Sequence, residues 1–171
     1  MSIVEERYCF ERLPEALQAR WIAHSQALLD SFRERVGREL ILRGGDAGEQ
    51  AKRLFDAPLI VVSHGTEADP ILNYGNATAL SLWELSPQEL LATPSRLTAQ
   101  AEVREAREHV LAETARKGFV SGYTGVRVSR TGRRFRIVDA TIWNVTDADG
   151  RPFGQAASFA RWEALAPAGS R

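Results

Sequence analysis

Across residues 119–162 apolar and polar positions alternate in three runs, broken at Arg130-Thr131-Gly132-Arg133 and again at Asp147-Ala148-Asp149-Gly150. Runs of period two bounded by glycine and aspartate predict an antiparallel meander. With each four-residue turn closing symmetrically, Ser129 lies opposite Arg134, Val128 opposite Phe135, Val126 opposite Ile137 and Thr124 opposite Asp139, and the second hairpin sets Asp139 opposite Ser158. Directly opposed residues share a face. One face then carries Val126, Val128, Phe135, Ile137, Ala160 and Trp162, continued by Thr124, Asp139, Thr141, Trp143 and Ser158. The other carries Tyr123, Val138, Ala140, Ile142, Ala157 and Phe159. A slip of one residue at either turn exchanges the faces.

Upstream, Leu17, Trp21, Leu28, Phe32 and Val36 recur at helical spacing, which predicts an amphipathic helix over 14–36 with proline at its start. A second helical segment is expected over 47–55. The run Leu59-Ile60-Val61-Val62-Ser63 reads as a buried strand, and Ile71-Leu72-Asn73-Tyr74 as its partner across a turn. Asn76 is placed to cap a helix over 77–85. Ser86-Pro87-Gln88-Glu89 then restarts the chain as a capping box with proline at the first helical position. A longer helix is expected over 98–116, closed by Lys117-Gly118. The order is helix, two strands, short helices, a longer helix and three strands. It divides into a helical extension over 1–56, an α+β domain over 57–165 and a flexible tail over 166–171.

Twenty-two basic and 22 acidic side chains balance, so no global charge calls for nucleic acid or an anionic membrane. The single cysteine, Cys9, excludes an intrachain disulfide and a thiolate metal cluster, and suits a reducing cytosol. No apolar run reaches membrane-spanning length, and the opening MSIVEER lacks the form of a secretory signal. A cytoplasmic protein is expected. Phosphate-cradling glycine loops, His-Glu-x-x-His and Gly-x-Ser-x-Gly do not occur, so the expectation is a protein without enzymatic activity.

The order of elements is that of the PAS fold. Residues 71–90, ILNYGNATALSLWELSPQEL, resemble the PAS signature, in which a strand ends in asparagine, a small-residue helix follows and a Ser-Pro-x-Glu-Leu step comes next. More narrowly, VSHGTEADP at 62–70, GYTGVR at 122–127, GRRFRI at 132–137 and GQAA at 154–157 resemble the MEKHLA-domain family, a PAS-related group. It is found as small standalone bacterial proteins and at the C-terminus of class III homeodomain-leucine-zipper regulators of plants. The six letters of the family name do not occur as a string here. The resemblance implies a five-stranded antiparallel sheet with short helices on one face, a sensory or interaction module, a small molecule bound between sheet and helices, and dimerisation through an N-terminal helix.

Asp139 is the leading candidate for a ligand site, because the symmetric pairing puts a carboxylate mid-strand on the face of Phe135 and Ile137, where it must be hydrogen-bonded or paired. Thr124 and Ser158 are its expected neighbours, with Thr141 further along the same face. Asn73, Asn76, Trp83 and Trp143 complete the expected lining, although Asn76 reads equally as a cap and the tryptophans as packing. His24, His64 and His109 share no ligand spacing and predict no metal site. Arg127, Arg133, Arg134 and Arg136 form a basic patch on the hairpin, read as a solvated face or as a grip for an anionic ligand or acidic partner. The face of Tyr123, Val138, Ala140, Ile142 and Phe159 is too apolar for water. The N-terminal helix has an apolar stripe of matching length, and a homodimer is expected in which these helices and sheet faces form the interface. The reading is a sensory domain that binds a small molecule of unspecified identity and signals through that helix; a ligand-free interaction module is the alternative, and an enzyme with Asp139 as general base the least favoured.

Overall fold

Glycine ends the N-terminal helix, α1, which spans Glu15–Val36: Gly37 adopts φ 86° and its N–H returns to the carbonyl of Arg33. These coordinates are a computed structural model that describes residues 8–167, apart from the side chain of Glu102. The end of the expected tail, 168–171, lies outside the described residues. Helix α2, Ala47–Asp56, is capped by Asp46, whose carboxylate accepts from the Glu49 N–H at 2.9 Å. Strands β1, Ile60–His64, and β2, Leu72–Gly75, follow, then α3, Ala77–Trp83, and α4, Pro87–Leu90, which opens on the expected capping box. The last helix, α5, is shorter than the spacing suggested, Arg104–Lys117, with 3-10 turns at Ser95–Thr98 and Ala101–Val103 before it. Strands β3, Phe119–Val128, β4, Arg134–Thr146, and β5, Pro152–Phe159, form the meander, and β6, Arg161–Ala164, ends the sheet.

The sheet is antiparallel in the order β2-β1-β5-β4-β3, with β6 paired to the first half of β4. This is the expected α+β, PAS-like architecture. Helix α1 lies on one face, hereafter the outer face, and α3, α4 and α5 on the other. Trp21, Leu28, Leu29 and Phe32 of α1 are fully buried against the chain's own sheet. Two indole N–H groups pin this contact: Trp21 donates to the Asn73 carbonyl at 3.0 Å, and Trp143 donates to Ser31 Oγ at 3.1 Å.

The register differs from the symmetric expectation, and the cause is the turns. Ser129 N–H donates to the Arg133 carbonyl, which leaves a three-residue loop, Arg130-Thr131-Gly132, with Gly132 at φ 92°. A three-residue loop with its last residue left-handed is a standard hairpin closure. It shifts β3 by one position, pairing Arg127 with Phe135 and Gly125 with Ile137. Arg127, not Val126 or Val128, therefore shares the face of Phe135 and Ile137. The second turn closes in the same way around Gly150, and a bulge follows at 152–154, so that Thr141, not Asp139, pairs with Ser158. Asp139 itself has φ 55° and interrupts the β3–β4 ladder. This bulge reverses the alternation along β4. Phe135 and Ile137 before it, and Ile142 after it, face the short helices, whereas Trp143 faces α1.

Candidate functional site

A cavity of about 50 Å3 lies between the sheet and the short helices. Its apolar lining comes from Val62, Leu72, Trp83, Ile137, Ile142 and Phe159; its polar lining comes from His64, Ser95, Thr98, Arg107, Arg127 and Gln155. The apolar residues follow from the inward phase of β1, β4 and β5. Trp83 is held edge-on to Phe135, with ring centroids 5.3 Å apart, and to Phe159 at 6.2 Å.

Both arginines reach the cavity from secondary structure. Arg107 projects from α5 and Arg127 from β3, and each is 7% exposed. Arg107 donates through Nη2 to Ser95 Oγ. Arg127 donates through Nη1 to the Val126 carbonyl at 2.9 Å and lies 5.5 Å from the Tyr123 ring centroid, with both terminal nitrogens 3.4 Å from the Tyr123 hydroxyl. Burial, reinforced by the neighbouring positive charge of Arg127, pulls the Arg107 pKa down to about 10. Among the described residues, no carboxylate lies within ion-pair distance of either guanidinium.

Two further polar atoms bordering the cavity lack a hydrogen-bond partner among the described residues: Trp83 Nε1 and His64 Nε2. His64 Nδ1 lies 3.0 Å from the Gly65 carbonyl, which assigns the proton of the neutral ring to Nδ1 and leaves Nε2 as a bare acceptor. Burial lowers the His64 pKa. Buried polar groups are nearly always satisfied, so a site with two such atoms and two buried guanidiniums that form no ion pair among the described residues is unusual.

Of the residues expected to line a pocket, Trp83 does so and the others lie elsewhere. Asp139 and Thr124 are exposed at the β3–β4 bulge. The expected buried carboxylate is therefore absent, because the bulge turns it to solvent. Thr141 and Ser158 are buried and paired with each other, and Trp143 packs edge-on against Phe32 of α1 at 4.9 Å, all on the outer face. Asn73 joins a network under α1: Ser63 Oγ donates to Asn73 Oδ1 at 2.6 Å, and His24 Nε2 stands 3.1 Å from Ser63 Oγ. Because the serine proton goes to Asn73, His24 donates to Ser63 and does not activate it. Asn76 caps α3 and ties three segments together, accepting from Ala79 N–H at 3.2 Å and Val61 N–H at 3.1 Å, and donating to the carbonyls of Leu54 at 3.2 Å and Leu59 at 2.7 Å.

The basic patch is dispersed as well. Arg127 is inside, Arg133 lies 3.4 Å from Glu84, Arg134 donates to Gln100 and Arg136 lies 3.3 Å from Glu163. Sequence reasoning missed Arg107 and Arg127 as cavity residues. The signal that could have found Arg127 is Gly132, whose place at the end of a three-residue loop fixes the register.

A sheet of this order, with short helices and a small cavity on one face, defines a PAS-like domain. The chain belongs to the MEKHLA domain family, whose pattern matches residues 22–164 and so takes in most of α1. No curated protein matches the sequence. Among solved structures, the PAS domain of a protein from Colwellia psychrerythraea is similar at 12% identity and TM-score 0.56, covering 68% of this chain and 94% of that one. A light-oxygen-voltage domain studied with a flavin analogue is similar at 15% identity and TM-score 0.52, covering 69% and 85%. The light-state dimer of the fungal blue-light photoreceptor Vivid is similar at 15% identity and TM-score 0.52, covering 78% and 90%. At these identities the likeness is one of fold. No helix among the described residues is long and apolar enough to cross a membrane.

Proposed function

We propose that this protein is a sensory module without catalytic activity of its own, which takes a small molecule into the cavity between its sheet and short helices. The observation that carries the reading is the cavity's unsatisfied polar lining, Trp83 Nε1 and His64 Nε2 beside two buried arginines. A cavity that stays empty in a close-packed interior is apolar, whereas polar atoms that the chain leaves unpaired call for a bound group. The route outward is short. Ile142 lines the cavity, and its neighbour Trp143 carries the hydrogen bond to Ser31 of α1. A ligand that shifts β4 acts directly on that helix.

The flavin of the light-oxygen-voltage relative does not suit this site. A cavity of about 150 Å3 holds a single benzene, three times the volume found here. The chain's cysteine, Cys9, hydrogen-bonds to Glu11 outside the cavity lining.

Self-association belongs to the proposal in altered form. The outer face of the sheet is covered by α1 of the same chain, so homodimerisation is proposed through the solvent side of α1 alone. The alternative of a ligand-free interaction module draws on the small size of the cavity. Native mass spectrometry tests both points in one measurement. A bound mass that is lost on denaturation, or a metabolite that shifts the NMR signals of Trp83 and Ile142, supports sensing. Bare chain mass and no such shift from a metabolite library overturns it. A monomer at micromolar concentration removes the dimer.

A further inference from the structure

The two cavity arginines, resting on the reading of that cavity as a ligand site, specify what enters it. We infer that the ligand is a small organic carboxylate, held by its carboxyl group between Arg107 and Arg127 with its carbon skeleton against Leu72, Trp83, Ile137, Ile142 and Phe159.

Charge comes first. Two guanidiniums that are nearly fully buried, near enough that Arg127 depresses the Arg107 pKa, have no ion-pair partner among the described residues, Glu108 acting on Arg107 only from beyond ion-pair distance. Burying one uncompensated cation is costly and burying two side by side more so. An anion between them removes both costs at once. Geometry favours carboxylate, because a guanidinium presents parallel N–H groups that match its two oxygens. Donors remain free for it. Arg107 spends Nη2 on Ser95, and Arg127 spends Nη1 on Val126, with only long approaches to the Tyr123 hydroxyl.

The rest of the lining excludes a purely inorganic anion. Phosphate or sulfate has no apolar surface, whereas much of this cavity is aliphatic and aromatic side chain. A volume of about 50 Å3, a third of the cavity that holds benzene, favours the smallest acids, so affinity is expected to fall from acetate to butyrate. Trp83 Nε1 offers a further donor, and His64 Nε2 an acceptor that suits a hydroxyl or the proton a bound anion draws onto the ring.

The experiment is a calorimetric and NMR titration of the full-length protein with acetate, propionate and butyrate, beside acetamide, propionamide and butyramide of the same shape, and inorganic phosphate. The expected result is that at least one carboxylate binds ten-fold or more tightly than its amide, shifts the signals of Trp83 and Ile142, and loses at least ten-fold in affinity in Arg107→Gln and Arg127→Gln. Phosphate is expected not to compete. The acid–amide comparison uses the unaltered protein, so it stands even where a variant fails to fold. Equal binding of acid and amide overturns the anion and leaves the ligand cavity in place. Phosphate binding as tight as the carboxylates overturns the organic skeleton. Failure of every probe overturns the inference, while a co-purifying neutral molecule found by native mass spectrometry would still uphold the cavity as a ligand site.

Discussion

Asn76 uses its single side-chain amide four times, accepting two backbone N–H groups and donating to two carbonyls, and it is fully buried. Asn76→Asp keeps the helix cap but removes both donated bonds and faces two carbonyls with a carboxylate. Chemical denaturation should show a loss on the order of 2–4 kcal/mol; a loss under about 0.5 kcal/mol contradicts the role. His24 gives a pH test. It lies on the inward face of α1, buried beside Ser63 and Tyr74, and burial, helped by Arg20, lowers its pKa from 6.5 to about 3. Between those values the unfolded chain binds a proton that the folded chain refuses. This contribution to stability is full above pH 6.5 and is lost as pH falls toward 3, at up to about 1.4 kcal/mol per pH unit. Urea unfolding should find the loss between pH 7 and pH 5 smaller in His24→Gln than in the natural protein by about 2 kcal/mol. Equal losses in the two proteins argue against a neutral buried imidazole. Neither role was fully legible beforehand. The cap at Asn76 follows from its position before a small-residue helix, but the bonds to Leu54, Leu59 and Val61 depend on chain segments meeting in space.

At the scale of elements, the sequence specified the meander, the capping box, the helix at 14–36 and the order of the whole fold. Those signals are local: alternation, a proline, a cap, a glycine. What it did not specify was phase. Counting the two hairpin loops as four residues when each has three moved β3 by one position, and that alone carried Arg127 from the surface to the interior. The left-handed residue at 139 is harder still to see, because aspartate in an alternating run gives no sign that the backbone turns over there. Hence Asp139, expected inside, is exposed, and Thr141, Trp143 and Ser158 lie under α1. The bulge makes its own prediction. At φ 55° a residue with a Cβ is strained, so Asp139→Gly should be neutral to about 1 kcal/mol stabilising, and Asp139→Val should cost about 1–2 kcal/mol. Thermal unfolding of both variants checks this. A severe loss in the glycine variant would restore the buried carboxylate.

For the whole molecule the decisive fact is that α1 is part of the core. Burial of Trp21, Leu28, Leu29 and Phe32 stabilises by about 1.5–3 kcal/mol for each side chain, together comparable to the whole stability of an ordinary domain. A chain beginning at residue 40 should therefore bind a hydrophobic dye, aggregate or lose cooperative unfolding; a monomeric, cooperatively folding product would show that the sheet does not need its cover. The family match starting at residue 22 fits a helix that belongs to the domain. Residues 37–46 join α1 to α2, and within them Leu42 is 88% exposed. Arg43 of the same stretch fastens it to both helices, lying 2.7 Å from Asp30 of α1 and donating to Gln50 of α2 at 3.0 Å. Whatever grips the solvent side of α1 therefore pulls on α2 and, through Trp21 and Ser31, on the sheet beneath.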